Sequence, residues 1–396
     1  MKLEGIRVLD LSMFLPGPLL TQLMADHGAE VIKIETVDEG EPNREIGARR
    51  DGVTVFFANS HRNKKSLALN LKTEEGREIF LKLAEQADVV IEAFRPGVAK
   101  RLGVDYESVA TRSPGIVYCS ISAWGQDGPY VKMAAHDLTC EAIAGILSVN
   151  QGPDGKPAMP GLANADMLSC TLGLSGVLMA LLRRQRTGKG DFLDMAMLDS
   201  LLACMPNNFG PPMAEKRPPE PKQERSWGGN AMYGIYETKD DRHIVLGAAE
   251  IKFATNLLTA LGRPELIELC KLPPGKGQDP VREFFRATFR GKTQAEWVAW
   301  FAGRDIAFAP VKNLRQALDD PQVRAREMVV VDERGWEHIG NPIKFRNEPA
   351  ELKFDLPAHG QHSEEIIRGL GYDERQLQAM RQRGVFVAHR WAKAAE

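Results

Sequence analysis

The strongest constraint on the fold is an alternation in the first third of the chain. Short runs rich in Val, Ile and Leu lie at Ile6–Leu11, Glu30–Glu35 (EVIKIE), Ser66–Leu71, Asp88–Phe94 (DVVIEAF) and Ile116–Ser122 (IVYCSIS). Helical signals separate them. Pro18–Ala25 reads as a helix stopped by Gly28. Thr73–Ala87 reads as an amphipathic helix, with Thr73 as its N-cap and Glu74 and Glu75 in the first turn. Strands that return through helices build βαβ units, so the fold class expected is α/β with a mostly parallel sheet.

The middle of the chain is more helical. His136–Leu147 and Asp166–Arg184 are candidate helices around a turn-rich loop, and Gly173 and Gly176 in the second allow close backbone approach. Asp191–Met197 alternates like a strand and runs into Leu198–Cys204. Prolines then crowd Pro206–Arg225, which resists both helix and central strand. Beyond it, Met232–Thr238 and His243–Ala248 flank the polar turn Asp240–Asp241 as a hairpin, followed by helical segments. The expected organisation is a large domain over 1–204, a linker over 205–227, a smaller α+β domain over 228–325 and a C-terminal segment over 326–396. That last segment has strands and then helices around Ser363–Leu370 and Asp373–Arg383.

Composition removes several function classes. With 51 Lys+Arg against 53 Asp+Glu, the chain has no cationic excess of the kind that binds nucleic acid. Cys119, Cys140, Cys170, Cys204 and Cys270 are scattered and include no C-x-x-C pair, which excludes a disulfide framework and a zinc cage and fits a reducing compartment. The start, MKLEGIRVLDLS, carries charges too early for a secretory signal, and no apolar run approaches the roughly 20 residues of a membrane span. The expectation is a soluble, cytoplasmic protein with no metal. The turn after the first strand, Leu11–Pro18, lacks G-x-G-x-x-G, and its two prolines remove donors a pyrophosphate would need. No Walker A, G-x-S-x-G or H-E-x-x-H motif is present. His359 and His362 sit in a loop and read as a solvated pair.

Three places carry candidate chemistry. Asp166 stands just ahead of a hydrophobic helix, where free N–H groups and the helix dipole favour its ionised form. Such a carboxylate can attack a thioester carbonyl or take a proton, or it can be a plain helix cap. His136 beside Asp137 makes a tunable acid/base pair, or a helix start with a half-buried imidazole. Glu92–Gly97 ends a strand where open α/β sheets bind ligands, and its Arg95, with Arg101, can hold phosphates or stay solvated. Arg62–Lys65 is a second basic cluster, solvent-facing or placed toward an anionic ligand, and Glu250 ends a strand in the smaller domain.

Taken together these pieces resemble the class III CoA-transferase family (CaiB/BaiF type), which includes formyl-CoA transferase, carnitine CoA-transferase and α-methylacyl-CoA racemase. The resemblance rests on Leu9–Leu11 with Pro16–Pro18, Gly28–Glu35, Asn63–Lys72, Phe94–Gly97, Ala163–Asp166, Arg186–Gly190 and Gly360–Ile367. It implies an interlocked, ring-shaped homodimer. Each subunit would have a large Rossmann-like domain, a small domain, and a C-terminal stretch returning to the large one. It also implies an acyl-CoA and a carboxylic acid as substrates, with no tightly bound cofactor. In the transferases the residue matching Asp166 is the nucleophile that carries the acyl group as an anhydride and then CoA as a thioester. Positions matching Asn70, Leu71, Lys72, Ala93, Phe94, Arg95, Arg101 and Asp137 line the CoA site. In the racemases the residues matching His136 and Asp166 work on opposite faces of the thioester α-carbon, and Glu250 matches a further active-site carboxylate. Leu15, Thr36 and the short Trp227–Asn230 segment depart from formyl-CoA transferase, and Leu162 and Ala135 depart from the racemases. The resemblance therefore leaves CoA transfer, α-carbon racemisation and non-catalytic acyl-CoA binding as readings.

Overall fold

Arg7–Asp10 (β1) lies at the centre of a seven-stranded sheet in the computed structural model, which describes residues 1–152 and 154–389. The other parallel members are Glu30–Glu35 (β2), Lys64–Leu69 (β3), Val89–Glu92 (β4), Val117–Ser122 (β5) and Asp191–Ala196 (β6). Their order, β3-β2-β1-β4-β5-β6, is that of a doubly wound sheet. In register, Leu9 stands beside Ile32 on one side and Val90 on the other. Each expected strand in this region appears: β2 with the expected bounds, β1, β4 and β5 shortened by one or two residues at one or both ends, and β3 shifted two residues toward the N-terminus.

The intervening helices cover both faces. Pro16–Asp26 (α1) starts on prolines and ends as expected. Gly28 takes φ +103 after the C-cap, its N–H donates to Ala25 (2.9 Å), and Ala29 closes back on Met24 (3.1 Å). Glu74–Ala84 (α2) is capped by Thr73, whose Oγ1 accepts from the Gly76 amide at 3.0 Å. Ile79, Phe80 and Leu83 of α2 bury against Leu9, Ile32, Leu67 and Val90 in the main core.

Asp137–Ile143 (α3) is shorter than the expected helix, because Gly145 at φ +81 breaks it before Ile146–Val149. Asn164–Thr187 (α4) packs on α1, β5 and β6. Both of its glycines are there for close approach: a Cβ on Gly176 would sit 2.6 Å from Leu193 Cδ2, and one on Gly173 would sit 3.0 Å from Leu20 Cδ1. By length and composition α4 could cross a membrane, which corrects the expectation that no run is long enough. In this fold Leu174, Val177 and Leu181 on its inner side are core residues.

Two basic residues read as surface candidates are instead interior. Lys64 is buried, 3.1 Å from Asp10, and Arg62 is buried with its guanidinium 3.0 and 2.7 Å from the two Asp26 oxygens. Lys33, also buried, lies 2.9 Å from Glu41 and 3.7 Å from Asp10. Buried charges persist only when paired, and these are paired across long stretches of sequence. The histidine pair is likewise not simply solvated. His359 Nε2 lies 2.7 Å from the Thr36 carbonyl, and His362 Nδ1 accepts from the Ser66 amide at 3.1 Å. Among the described residues no cluster suits a metal ion.

The chain forms two compact units. One holds Met1–Ala144, Gly161–Cys204 and the chain from Gln322 onward; the other holds Gly145–Pro160 and Met205–Pro321. The second unit contains the expected hairpin, Tyr233–Glu237 (β7) and His243–Gly247 (β8), and a third strand, Phe308–Pro310 (β9), pairs with β8. Its core gathers Tyr236, Phe285, Phe289, Trp297 and Phe301. Returning to the first unit, the chain adds Phe386–Val387 (β10) antiparallel to β3, closing an edge that would otherwise be open.

Candidate active site

Parallel strands all point their C-terminal ends to one edge of the sheet, and the loops leaving β1, β4 and β5 meet there. Met13 and Phe14 follow β1, Ala93, Phe94 and Arg95 follow β4, and Ala123, Trp124 and Gly125 follow β5. Together with His136, Asp166 and Met197 they line a cavity of about 550 Å³. The racemase resemblance links Asp166 with His136, and both line this one space. His136 is the exposed N-cap residue of α3, and its ring meets Phe14 edge-on at 6.0 Å and 87°.

Asp166 sits in the first turn of α4, but its setting differs from the one expected. The amides at that helix start are already taken. Asp137 Oδ1 accepts from Ala165 N at 2.7 Å and from Asp166 N at 3.1 Å, and Glu141 Oε1 accepts from Asn164 N at 3.1 Å and Asn164 Nδ2 at 2.8 Å. Asp137 and Glu141 stand one turn apart on α3, so both carboxylates face the same helix end. No hydrogen bond among the described residues reaches the carboxyl of Asp166. Burial, and next the charge of Asp137, push it up from 3.8 to about 7. The helix start therefore does not hold Asp166 ionised, as the sequence suggested, because its donors are spent on two other carboxylates.

Glu92 shapes the neighbouring turn. Its Oε2 accepts from the Phe94 amide at 2.6 Å, which fixes the turn into Arg95. Burial pushes this carboxyl up to about 7 against hydrogen bonds from Ser120 and Phe94.

A second cavity of about 340 Å³ adjoins the first, with Met13 and Phe94 lining both. Asn70, Leu71 and Lys72 line it opposite Lys33–Glu35 and the loop Thr36–Glu41. The Asn70 turn is held by its own Oδ1, which accepts from Lys72 N at 3.1 Å, and by Thr73 Oγ1, which donates to its carbonyl at 2.8 Å. Three other candidates line neither cavity. Arg101 is exposed on the short helix Val98–Leu102, Asp137 is committed to α4, and Glu250 is the exposed N-cap of Ile251–Ala260 in the second unit. Sequence reasoning missed Phe14, Trp124 and Glu141. The first two follow strands directly, so the rule that ligands gather at C-terminal strand ends could have found them.

Residues 3–363 match the model of CoA-transferase family III. The chain belongs to that family. It is 31% identical over 404 residues to a succinyl-CoA:glutarate CoA-transferase of Mus musculus, covering 98% of this chain and 91% of the relative. It is 32% identical over 387 residues to a succinyl-CoA–D-citramalate CoA-transferase of Chloroflexus aurantiacus, covering 93% and 94%. A crystal structure of a CaiB/BaiF family protein from Brucella suis superposes with a TM-score of 0.80 at 29% identity, over 93% of this chain and 99% of that one. As a family III CoA-transferase the chain is an enzyme whose substrates are CoA thioesters.

Proposed function

We propose that this family III enzyme moves CoA from an acyl-CoA to a carboxylic acid by way of Asp166. The observation that carries the proposal is a carboxyl group that no hydrogen bond among the described residues reaches, in the first turn of α4, lining the same cavity as Arg95 and His136. Ionised Asp166 attacks the thioester carbonyl, the C–S bond breaks, and CoA leaves as a thiolate from an acyl-aspartyl anhydride. The thiolate attacks the aspartyl carbonyl, expelling the donor acid and leaving an aspartyl-CoA thioester. The acceptor carboxylate then attacks that thioester, and the same two steps run in reverse order. With its proton affinity pushed up by burial, the ionised carboxyl is a stronger nucleophile than an ordinary aspartate.

Asn70, Leu71, Lys72 and Phe94 are proposed to receive the nucleotide end of CoA in the smaller cavity, with Arg95 reaching its phosphates. The relatives' succinyl donors and dicarboxylate acceptors make succinyl-CoA with glutarate or citramalate the first pairs to try. We also propose the interlocked, ring-shaped homodimer of the family, supported by the apolar Leu178, Met179 and Leu182 that α4 leaves exposed. A cytoplasmic location is proposed on the five free cysteines.

The test is chemical trapping. Incubation with succinyl-CoA and hydroxylamine should convert Asp166 to a hydroxamate visible by mass spectrometry, and Asp166→Ala should neither label nor transfer. Full transfer by Asp166→Ala ends the proposal. A second reading, proton exchange at the thioester α-carbon by His136 and Asp166, is favoured because both residues line one cavity. Deuterium uptake from heavy water that vanishes in His136→Ala would support it.

A further inference from the structure

We infer that Glu41 is a positioning residue for this reaction: its buried carboxylate holds Phe14 in a left-handed turn, and the Phe14 ring is thereby fixed as the cavity wall against His136. The inference rests on reading this cavity as the site of CoA transfer.

Phe14 is the anomaly that prompts it. Its φ is +65, and it is the only apolar residue among the described non-glycine residues with positive φ; the others are Asp, Asn, Lys and Glu. A bulky side chain in that region is a true outlier, and the backbone there is strained. Core packing does not explain the strain, because Phe14 is 39% exposed. Its ring lines the cavity that holds Asp166 and stands edge-on to His136.

The strain is held from both ends of the residue. The Phe14 amide donates to Glu41 Oε1 at 3.0 Å, and its carbonyl accepts from the side-chain amide of Asn43. Both anchors are buried, and both come from the loop after β2. That loop is itself pinned. The Glu41 amide donates to Glu35 Oε2 at 2.9 Å, and Arg44 makes two 2.8 Å hydrogen bonds to the Glu35 carboxylate. Burial alone would favour protonated Glu41, but Lys33 at 2.9 Å, with a contribution from His61, holds it down at about 2, so it is a fixed acceptor at any working pH. The same loop, Thr36 to Glu41, lines the smaller cavity, and Glu41 reaches the larger one only through its hydrogen bond to Phe14.

The experiment is a double-mutant cycle on the full-length protein with two readouts. Phe14→Gly removes the ring while suiting the left-handed backbone, so the fold should keep or gain thermal stability. Transfer between succinyl-CoA and glutarate should lose about tenfold or more in kcat, with a smaller change in the KM for succinyl-CoA, as expected for a misplaced reacting group. Glu41→Gln should lower kcat in the parent background and have no further effect on it in Phe14→Gly. The second readout is the ¹³C–¹H resonance of the His136 imidazole, assigned with His136→Gln. It should move in Phe14→Gly and in Glu41→Gln, and Glu41→Gln should not move it again once the ring is gone. Independent, multiplying effects of the two changes would overturn the inference, as would an unmoved His136 resonance in Phe14→Gly. If Glu41→Gln does not fold, Phe14→Gly alone decides, and parent-like kcat with an unmoved resonance sinks the claim. The resonance needs no turnover, so failure of hydroxylamine trapping at Asp166 leaves this test intact.

Discussion

Replacing Asp166 with Asn should stabilise the protein, and by an amount that depends on pH in a definite way. The carboxyl ionises near 3.8 in the unfolded chain and near 7 in the folded one, with burial the main cause and Asp137 the second. At about 1.36 kcal/mol per pH unit, that gap corresponds to roughly 4 kcal/mol of folding free energy lost once the group is ionised in both states. The side chain is partly exposed, so screening trims the effect to roughly 2–3 kcal/mol. The sign follows from the proton count. Between the two pKa values the folded state holds the proton and the unfolded state has released it, so stability falls as pH rises through this window. Below about pH 4 the group is protonated in both states and the substitution should be near neutral. Urea unfolding of Asp166→Asn and the parent, compared from about pH 4 to 8, should therefore diverge, with the variant the more stable at the alkaline end. A pH-independent difference, or a variant less stable at about pH 8, would refute the view that Asp166 is a desolvated carboxyl without compensating hydrogen bonds.

Three further outcomes are expected. In Gly76→Ala the new Cβ would lie 2.1 Å from the Asn70 carbonyl oxygen, so the Asn70–Lys72 turn must move, and the KM for acyl-CoA should rise by about tenfold in initial-rate assays. Lys33→Met leaves Asp10 and Glu41 buried without their shared cation, and chemical denaturation should show a loss of about 3–5 kcal/mol. Arg95→Ala should weaken acyl-CoA binding by about tenfold, whereas Arg101→Ala, which lines neither cavity, should change it by less than about threefold; calorimetric titration with CoA distinguishes them.

The parallel sheet was legible because its signals are local. Val-, Ile- and Leu-rich runs, the Thr73 cap and the Gly28 stop each report on a few neighbouring residues, and each appears in the structure. That Asp166 and His136 come to one cavity was also legible, through the resemblance that links the two positions. What escaped is non-local. Arg62 and Lys64 look like a surface cluster until Asp26 and Asp10 are brought beneath them by strand pairing. The β10 strand is two residues long, too short for any period to announce it, and its partner lies more than three hundred positions earlier. Asp166 looks like the cap of its own helix because nothing local reveals that Asp137 and Glu141, on another helix, take the donors first.

That exchange of caps ties the fold to the chemistry. A carboxylate used as a helix cap is stabilised as an anion and is correspondingly a poor nucleophile and a poor base. Here the capping task passes to Asp137 and Glu141. The side chain of Asp166 stays attached to a rigid 24-residue helix yet receives none of that helix's hydrogen bonds. The result is precise placement without electrostatic quenching. The helix backbone fixes the position, burial raises the proton affinity, and the cost is carried by the stability of the fold. Charge on Asp137 adds to the same effect, so Asp137 serves twice, as cap and as a like-charged neighbour. The role proposed for Asp166, forming and breaking a bond at a carboxyl oxygen, would gain from both. The geometry departs from the sequence reading in one respect: the helix start gives the Asp166 side chain a fixed position but none of its donors.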